Sequence, residues 1–447
     1  ELIQKNSYLE SLVNSLRNTV RYRIGDTIVN AFKQPGMRTI KMPFFVIKLL
    51  IEGVKRDRAR KNRSHTKAKK AVTSSINVAQ QEKQVPKDKK TEAKPRRHKI
   101  FDKIESFNDF EAPFVRNTNL KVACIMDDFS FNCFKYECHL EQLHFNTWQS
   151  QLEKLQPDML LVESAWNGVD NSWQFKLLDI QNKPECAIKR LVQYCKDKDI
   201  ITVFWNKEDP PNYDRFIATA KLFDYVFTTE ENVVNRYKED LGHNNIYVMP
   251  FAAQPAIHNP VNSWYHNKEN VAFAGTWYGK RHLERQHDMH TLLRPALDFD
   301  LHIFDRHYHT KSDRYTFPEI YQDNIVGSLD YSQMIKAHKL YKVFLNVNSV
   351  KDSRTMFSRR VYELLASGAN VISSPSVGIV ENFDKIVPVV NSEEEAKSYL
   401  RLMINNPEYS ERLSVLGVRE VYMKHLYKHR FGELLRTVGI PKKSDSR

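Results

Sequence analysis

What this chain has little of narrows its class before any motif is read. It has only five cysteines, Cys124, Cys133, Cys138, Cys186 and Cys195, an odd number with no Cys-x-x-Cys spacing. Thiols so placed read as reduced, which points to a reducing compartment and against a disulfide framework. No run comes near the roughly 20 apolar residues that a spanning helix needs, and no signal-peptide pattern opens the chain at Glu1. The expected location is therefore cytoplasmic. The most basic stretch, residues 56–99, holds no aromatic side chain. Bases have nothing to stack on there, and nucleic acid is not an expected partner.

What is present is enough for two cores. At 447 residues, 41% hydrophobic and 11% aromatic, the chain exceeds one ordinary domain. The net charge of +14 is unevenly spread. Residues 55–100 carry 17 Lys/Arg against 4 Asp/Glu, residues 1–54 carry 8 against 4, and residues 101–447 carry 43 against 46. The basicity thus belongs to an N-terminal arm, and the body is nearly neutral. Within residues 1–54, Leu2, Leu9, Leu12, Leu16 and Val20 fall on one stripe of a helix. That stripe suits pairing with a second copy of the chain through residues 2–20. The apolar block from Phe44 to Ile51 is flanked by Lys41 and by Lys55, Arg56 and Arg58. It suits either a helix lying in a membrane interface or one docked on the body. Residues 55–100 read as a basic disordered linker, because they hold too little apolar surface to offset the entropy of ordering. With the block before them, residues 41–100 present a contact for an anionic membrane surface at the inner face of the membrane.

From Lys121 onward apolar strands alternate with helix-length segments. The runs Val122–Met126, Met159–Val162, Ile200–Trp205, Phe223–Thr228 and Ile246–Pro250 form one series. A second comprises Val271–Ala274, Leu301–Phe304, Lys342–Asn346, Asn370–Ser373 and Ile386–Val389. Buried strands spaced by helices imply βαβ units and parallel sheets. The expected fold class is α/β, with two Rossmann-like parallel-sheet domains facing a cleft behind an N-terminal helical arm. The expected boundaries are 101–250 for the first domain, 251–410 for the second and 411–447 for C-terminal helices.

Two stretches carry chemistry. In Phe273-Ala-Gly-Thr-Trp-Tyr-Gly-Lys-Arg281 a strand ends at a small-residue turn that opens a helix. Backbone amides at Gly275 can meet a diphosphate there, and Lys280, Arg281 or Arg285 can neutralise it. A plain tight turn is the alternative. The stretch is no Walker A loop, since it is one residue short and Arg281 stands where Ser or Thr would bind magnesium. The second stretch runs from Asn346 to Asn370. Arg359 and Arg360 precede Glu363 on a helix that Gly368 ends, and the loop around Ser376 and Gly378 follows the next strand. This carboxylate can accept ribose hydroxyls while an arginine one turn earlier faces phosphate.

Gly327-Ser-Leu-Asp-Tyr331, Leu345-Asn-Val-Asn348, Arg359-Arg-Val-Tyr-Glu-Leu-Leu-Ala-Ser-Gly368 and Ser376-Val-Gly378 together resemble the C-terminal half of GT-B glycosyltransferases. The likeness is greatest to the CgeB-like, spore-maturation-type bacterial group, which also carries an FAGTWY-type strand end and an Asp-Arg pair like Asp305-Arg306. It covers about residues 120–430. It implies base contacts around Gly327 and Tyr331, diphosphate contacts from Lys280 or Arg281 and from Arg359 or Arg360, and a ribose contact from Glu363. Retaining relatives with two glutamates seven residues apart would place the first at position 355, where this chain has Thr355. Retention is the expected outcome, narrowly over inversion.

Loops after strands of the first domain would serve the acceptor, with Asp128, Glu208 and Asp209 as carboxylates that deprotonate or orient a hydroxyl, or as ordinary turn residues. His282, His287, His290, His302, His307 and His309 match no familiar ligand spacing, and Asp298-Phe-Asp300 reads as a turn, so neither a metal nor any cofactor beyond the nucleotide-sugar is expected. The expected function is hexose transfer from a nucleoside-diphosphate sugar, UDP-sugar favoured, to a bacterial cell-surface glycan or a teichoic-acid-like polyol-phosphate acceptor. The alternatives are transfer of a sugar phosphate or glycerol phosphate on the same fold, and a non-catalytic scaffold acting through the basic arm.

Overall fold

The computed structural model describes residues 98–183, 185–264, 268–279, 283–310 and 314–441. The expectations for residues 1–54, for nearly all of the 55–100 linker and for Lys280 and Arg281 lie outside these residues. So do the self-pairing stripe and most of the membrane contact.

The first sheet comprises β1 Lys121–Ile125, β2 His139–Gln142, β3 Met159–Glu163, β4 Ile201–Asn206, β5 Tyr225–Thr228 and β6 Ile246–Val248. The second comprises β7 Glu269–Gly275, β8 Leu301–Asp305, β9 Ile325–Gly327, β10 Tyr341–Asn346 and β11 Asn370–Ser373. Strand order is β2-β1-β3-β4-β5-β6 in one and β11-β10-β7-β8-β9 in the other. Every pairing is parallel. Continuous apolar strands are what a parallel sheet requires, because helices cover both of its faces. Alternate residues of β1 show this. Val122 and Cys124 enter a core shared with the second sheet, while Ala123 and Ile125 enter the core on the opposite face. The second sheet does the same, with Ala272 and Phe344 in the shared core and Val271 and Val343 in the outer one.

Local signals fix the helix ends. Asp330 and Gln333 form a reciprocal capping box at the start of helix Tyr331–Leu340. Asn406 caps Pro407–Lys424, whose proline lies in the first turn, where a missing N–H costs nothing.

Three features depart from the sequence reading. The expected strand at Ile386–Val389 is a single bridge, Ser373 to Val389. Strands β2 and β9 were not anticipated. Finally, the segment from Lys99 is a helix, Lys99–Ser106, rather than the end of a linker and the start of the first domain. It packs on the second sheet, where Lys103 pairs with Glu269 at 2.9 Å and His98 meets the ring of His302.

The C-terminal helices divide between the sheets in the same manner. Glu393–Asn405 packs on helix Leu283–Ala296, and Pro407–Lys424 packs on helix Arg360–Ala366, all on the second sheet. Helix Tyr427–Thr437 crosses back to the first, where Tyr427 and Phe431 meet the ring of Phe134 and Arg430 donates to the carbonyls of Pro250 and Phe251. Ala253 and Leu426 pair where the two chain crossings run side by side. Among the described residues no helix is long and apolar enough to cross a membrane.

Candidate active site

In the second sheet β7 is central, with β8 and β9 on one side and β10 and β11 on the other. The strand order therefore reverses between β7 and β10, and open α/β sheets bind ligands outside the carboxyl ends at such a point. Arginines converge there. Arg360 donates to the carbonyl of Ala274 near the end of β7. Arg285 donates to the carbonyl of Val347 at 2.9 Å, just beyond β10, and to Ser349 Oγ at 3.2 Å. Arg306 follows β8, its amide bonded to the Gly275 carbonyl at 3.1 Å. Arg359 adjoins Arg360. Burial lowers the pKa of Arg285 and takes Arg360 down to about 10, with Arg359, Arg306 and Arg285 adding repulsion to the latter. Two buried nitrogens, Arg285 Nε and Arg359 Nη1, have no hydrogen-bond partner. Mutually repelling cations with unmet donors make a site for a polyanion.

One carboxylate stands among them. Glu363 Oε1 pairs with Arg359 Nε at 3.0 Å, accepts from Tyr331 Oη at 3.1 Å and lies 3.8 Å from His258 Nε2. Burial would raise its pKa, but Arg359, His258, His338 and Arg360 hold it down to about 2. His258 is the reverse case, driven down to about 4 by burial, and its Nε2 is 2.9 Å from Tyr331 Oη. Glu363 is thus an anion with its Oε1 already engaged, and 2% of its surface is exposed.

The loops that follow β10 and β11 fold against each other. Ser353 Oγ accepts from the amides of Thr355 and Met356, and the Gly378 amide donates to the Ser353 carbonyl. A Cβ at Gly378 would lie 2.6 Å from the Phe357 ring and 2.8 Å from the Arg354 carbonyl, so only glycine fits. Ser376 caps the short helix beginning at Val377. Thr355, where a retaining relative would carry glutamate, accepts instead from the amide of Glu231 at 3.0 Å and so ties the second domain to the first. Gly327, expected near the base, has φ +139 and is covered by the ring of Phe101, 2.8 Å from where a Cβ would stand.

The first sheet brings its own charges to the same place. Lys207, after β4, bonds Asp127, after β1, at 2.9 Å and Glu163, at the end of β3, at 3.0 Å. Asp127 also accepts from the amides of Trp166, Asn167 and Gly168. Burial opposes ionisation of Asp127, yet Lys207 and these amides carry its pKa down, whereas burial pushes Glu163 up. Lys207 Nζ lies 4.1 Å from the centroid of the Phe129 ring, and Arg359 Cζ lies 3.7 Å from the same centroid. The carboxyl ends of the two sheets therefore meet at Phe129.

The carboxylates expected from sequence divide. Asp128 is exposed and Glu208 half-buried, the latter accepting from Asn212 at 3.0 Å. Asp209 does not face the cleft. It is fully buried, accepting from Thr228, Asn206 and Tyr237, and burial raises its pKa to about 7. With no exposed surface it cannot reach an acceptor hydroxyl. Sequence reasoning missed Lys207 and Glu163 and passed over Asp127. The available signal was that each adjoins the carboxyl end of one of three neighbouring strands. Of the histidines, His290 and His302 bond the hydroxyls of Tyr321 and Tyr341. Among the described residues no three His, Cys, Asp or Glu gather as metal ligands.

Residues 282–436 match the family model described as glycosyl transferase-like. This segment contains Arg285, Arg306, Arg359, Arg360 and Glu363. No curated protein matches the chain. Among solved structures similar to the chain, one exceeds a TM-score of 0.5. An α-glucosyltransferase in complex with UDP and a 13-mer DNA has a TM-score of 0.51 at 12% identity, covering 72% of this chain and 99% of that one. A glycosyltransferase from Rickettsia africae ESF-5 has a TM-score of 0.47 at 12% identity, covering 73% and 100%. A protein from Anabaena in complex with UDP and glucose has a TM-score of 0.42 at 9% identity, covering 71% and 91%. The two parallel sheets form a GT-B fold.

Proposed function

We propose that the chain transfers a hexose from a nucleoside-diphosphate sugar, UDP-sugar favoured, to a cell-surface glycan or polyol-phosphate acceptor. The observation that carries this is the convergence of Arg285, Arg306, Arg359 and Arg360 on the switch point of the second sheet. In transfer the bond from the anomeric carbon to the β-phosphate oxygen breaks, a bond to the acceptor oxygen forms, the acceptor's hydroxyl proton passes to the freed phosphate oxygen, and negative charge builds on the departing diphosphate. Preorganised guanidiniums stabilise that charge, which is where transition-state binding has the most effect. The α-glucosyltransferase of this fold is bound to UDP, the donor class proposed here.

Retention goes with this reading. It is favoured only narrowly over inversion, since Asp127 and Glu163 are engaged by Lys207 and Asp209 is buried, whereas Asp128 is exposed and Glu208 half-buried. Asp128 and Glu208 then orient the acceptor. Residues 41–100 hold the enzyme to an anionic membrane surface on its cytoplasmic face, and residues 2–20 pair it with a second copy.

A thermal-shift screen of the intact chain against UDP, GDP, CDP, ADP and their sugar conjugates tests the donor claim, since a ligand that binds only the folded state raises the melting temperature. One nucleotide should stabilise the chain, and less so when Arg306 and Arg360 are replaced by alanine. No shift with any of them overturns the proposal. Product mass separates hexose from sugar-phosphate transfer, and the anomeric signal by NMR reports retention.

A further inference from the structure

On the outer face of the first sheet lies a groove of about 590 Å³, within the range of small-molecule sites. Helices Trp148–Leu155 and Ala187–Asp197 supply its walls. Leu152 and Leu155 of one helix and Ile188 and Leu191 of the other enter the core that holds Ala123 and Ile125, opposite the core shared with the second sheet. The groove is therefore separate from the arginine cluster. Each helix precedes a parallel strand, β3 or β4, and so starts at the carboxyl rim of the sheet. One end of the groove accordingly lies at the rim that bounds the cleft.

The rings of Trp148 and Tyr194 stand 5.8 Å apart with planes at 75°, both half-buried, so each keeps part of its surface in the groove. The exposed side chains of Gln149, Arg190, Gln193 and Asp197 lie around them. Gln193 Nε2 donates to Asp197 Oδ1 at 2.8 Å, which fixes the two side chains one turn apart. Two of the lining residues carry charge, Arg190 and Asp197, and their charges cancel. An aromatic face is negative and attracts the polarised C–H groups of a pyranose ring. Amide, guanidinium and carboxylate groups exchange hydrogen bonds with its hydroxyls. A purely apolar ligand would leave those polar groups without partners, and a polyanion would meet Asp197. From Arg190 to Asp197 the wall extends about 10 Å, further than one pyranose ring.

We propose that the groove is a second glycan-binding site, holding uncharged sugar units of the acceptor remote from its reacting end. The inference rests on the acceptor reading above, and of the two acceptors named there it selects the glycan. With the reacting end in the cleft, sugar units further along the chain pass over the rim and lie against Trp148 and Tyr194. Gln149, Arg190, Gln193 and Asp197 then bond their hydroxyls. Such a site raises the local concentration of acceptor chains long enough to reach it without touching the chemistry of transfer.

Isothermal titration of the full chain, without nucleotide, against maltohexaose, cellohexaose, chitohexaose and poly(glycerol phosphate) tests this. One of the oligosaccharides should bind. Trp148→Ala should weaken that binding about tenfold or more. The double variant Arg190→Ala with Gln193→Ala, altered only at exposed positions, should weaken it as well and serves if loss of the indole disturbs the fold. Both variants should keep whatever thermal shift a nucleotide gives the wild type. No binding of any oligosaccharide, or binding unchanged in both groove variants, overturns the inference and leaves the donor reading standing. Loss of binding in Glu208→Ala with none in the groove variants also overturns it, because the sugar then lies in the cleft and the acceptor reading survives. Tighter, salt-sensitive binding of poly(glycerol phosphate) overturns it too, in favour of the other acceptor. A wild type that no nucleotide stabilises counts against the donor reading alone.

Discussion

Arg359 reaches from the second domain to lie 3.7 Å over the ring of Phe129, which belongs to the first. Lys207 lies over the same ring, and each cation is also paired with a carboxylate, Arg359 with Glu363 and Lys207 with Asp127 and Glu163. A partly desolvated cation–π contact contributes about 2 kcal/mol. Phe129→Leu keeps the bulk and removes the ring. It should weaken nucleoside-diphosphate affinity by about tenfold by isothermal titration. Unchanged affinity would show that the arginine needs no support from the first domain.

Removing Lys207 leaves Glu163 buried and Asp127 half-buried without their cation. Breaking a buried pair on one side costs about 3–5 kcal/mol, so Lys207→Met should lower unfolding stability by that amount in urea. Adding Glu163→Gln to it should restore part of the loss. A double variant no more stable than the single one contradicts the pairing.

Acid should expose Glu363. Its folded pKa, about 2, lies below the 4.5 of an unperturbed glutamate. The stability it contributes is therefore complete above about pH 4.5 and is lost as pH falls through about 2. Glu363→Gln should cost on the order of 3 kcal/mol at pH 7 and progressively less below pH 4. Denaturation curves for both proteins at pH 7 and pH 3 decide this, and a constant difference sinks it.

Asp209 should behave with the opposite sign. Its folded value, about 7, lies above the unperturbed 3.8, so the fold favours the protonated form. That contribution is present below about pH 4 and is lost as pH rises through about 7. Relative to the wild type, Asp209→Asn should gain on the order of 3 kcal/mol between pH 5 and pH 8. Parallel pH profiles for the two would refute the assignment.

The sheets were legible because the strands of a parallel sheet are apolar on both faces, which a run such as Met159-Leu-Leu-Val162 shows directly. Strand β2, His-Leu-Glu-Gln, pairs on one side only and carries no such run, and β9 is three residues long at the other sheet's edge. Periodicity has little to say about either. The arginines were legible as types at a strand end. The Lys207 cluster was not, because its members lie 44 and 80 positions apart and only folding makes them neighbours. Asp209 was misread for the same reason, since the letters Glu-Asp-Pro-Pro describe a surface turn until Thr228 and Tyr237 close over it.

The chain begins its described course on the second sheet with helix Lys99–Ser106 and ends on the first with helix Tyr427–Thr437. Each sheet is completed by a segment that lies, in sequence, at the far end of the other. Neither half can then be excised as a contiguous fragment with its surface intact. A cut near residue 250 would leave the first piece without the cover over Phe134 and the second without the helix that shields Gly327. Dissection of this protein should instead begin from co-expressed pieces, with each sheet rebuilt only when its distant helix is supplied in trans.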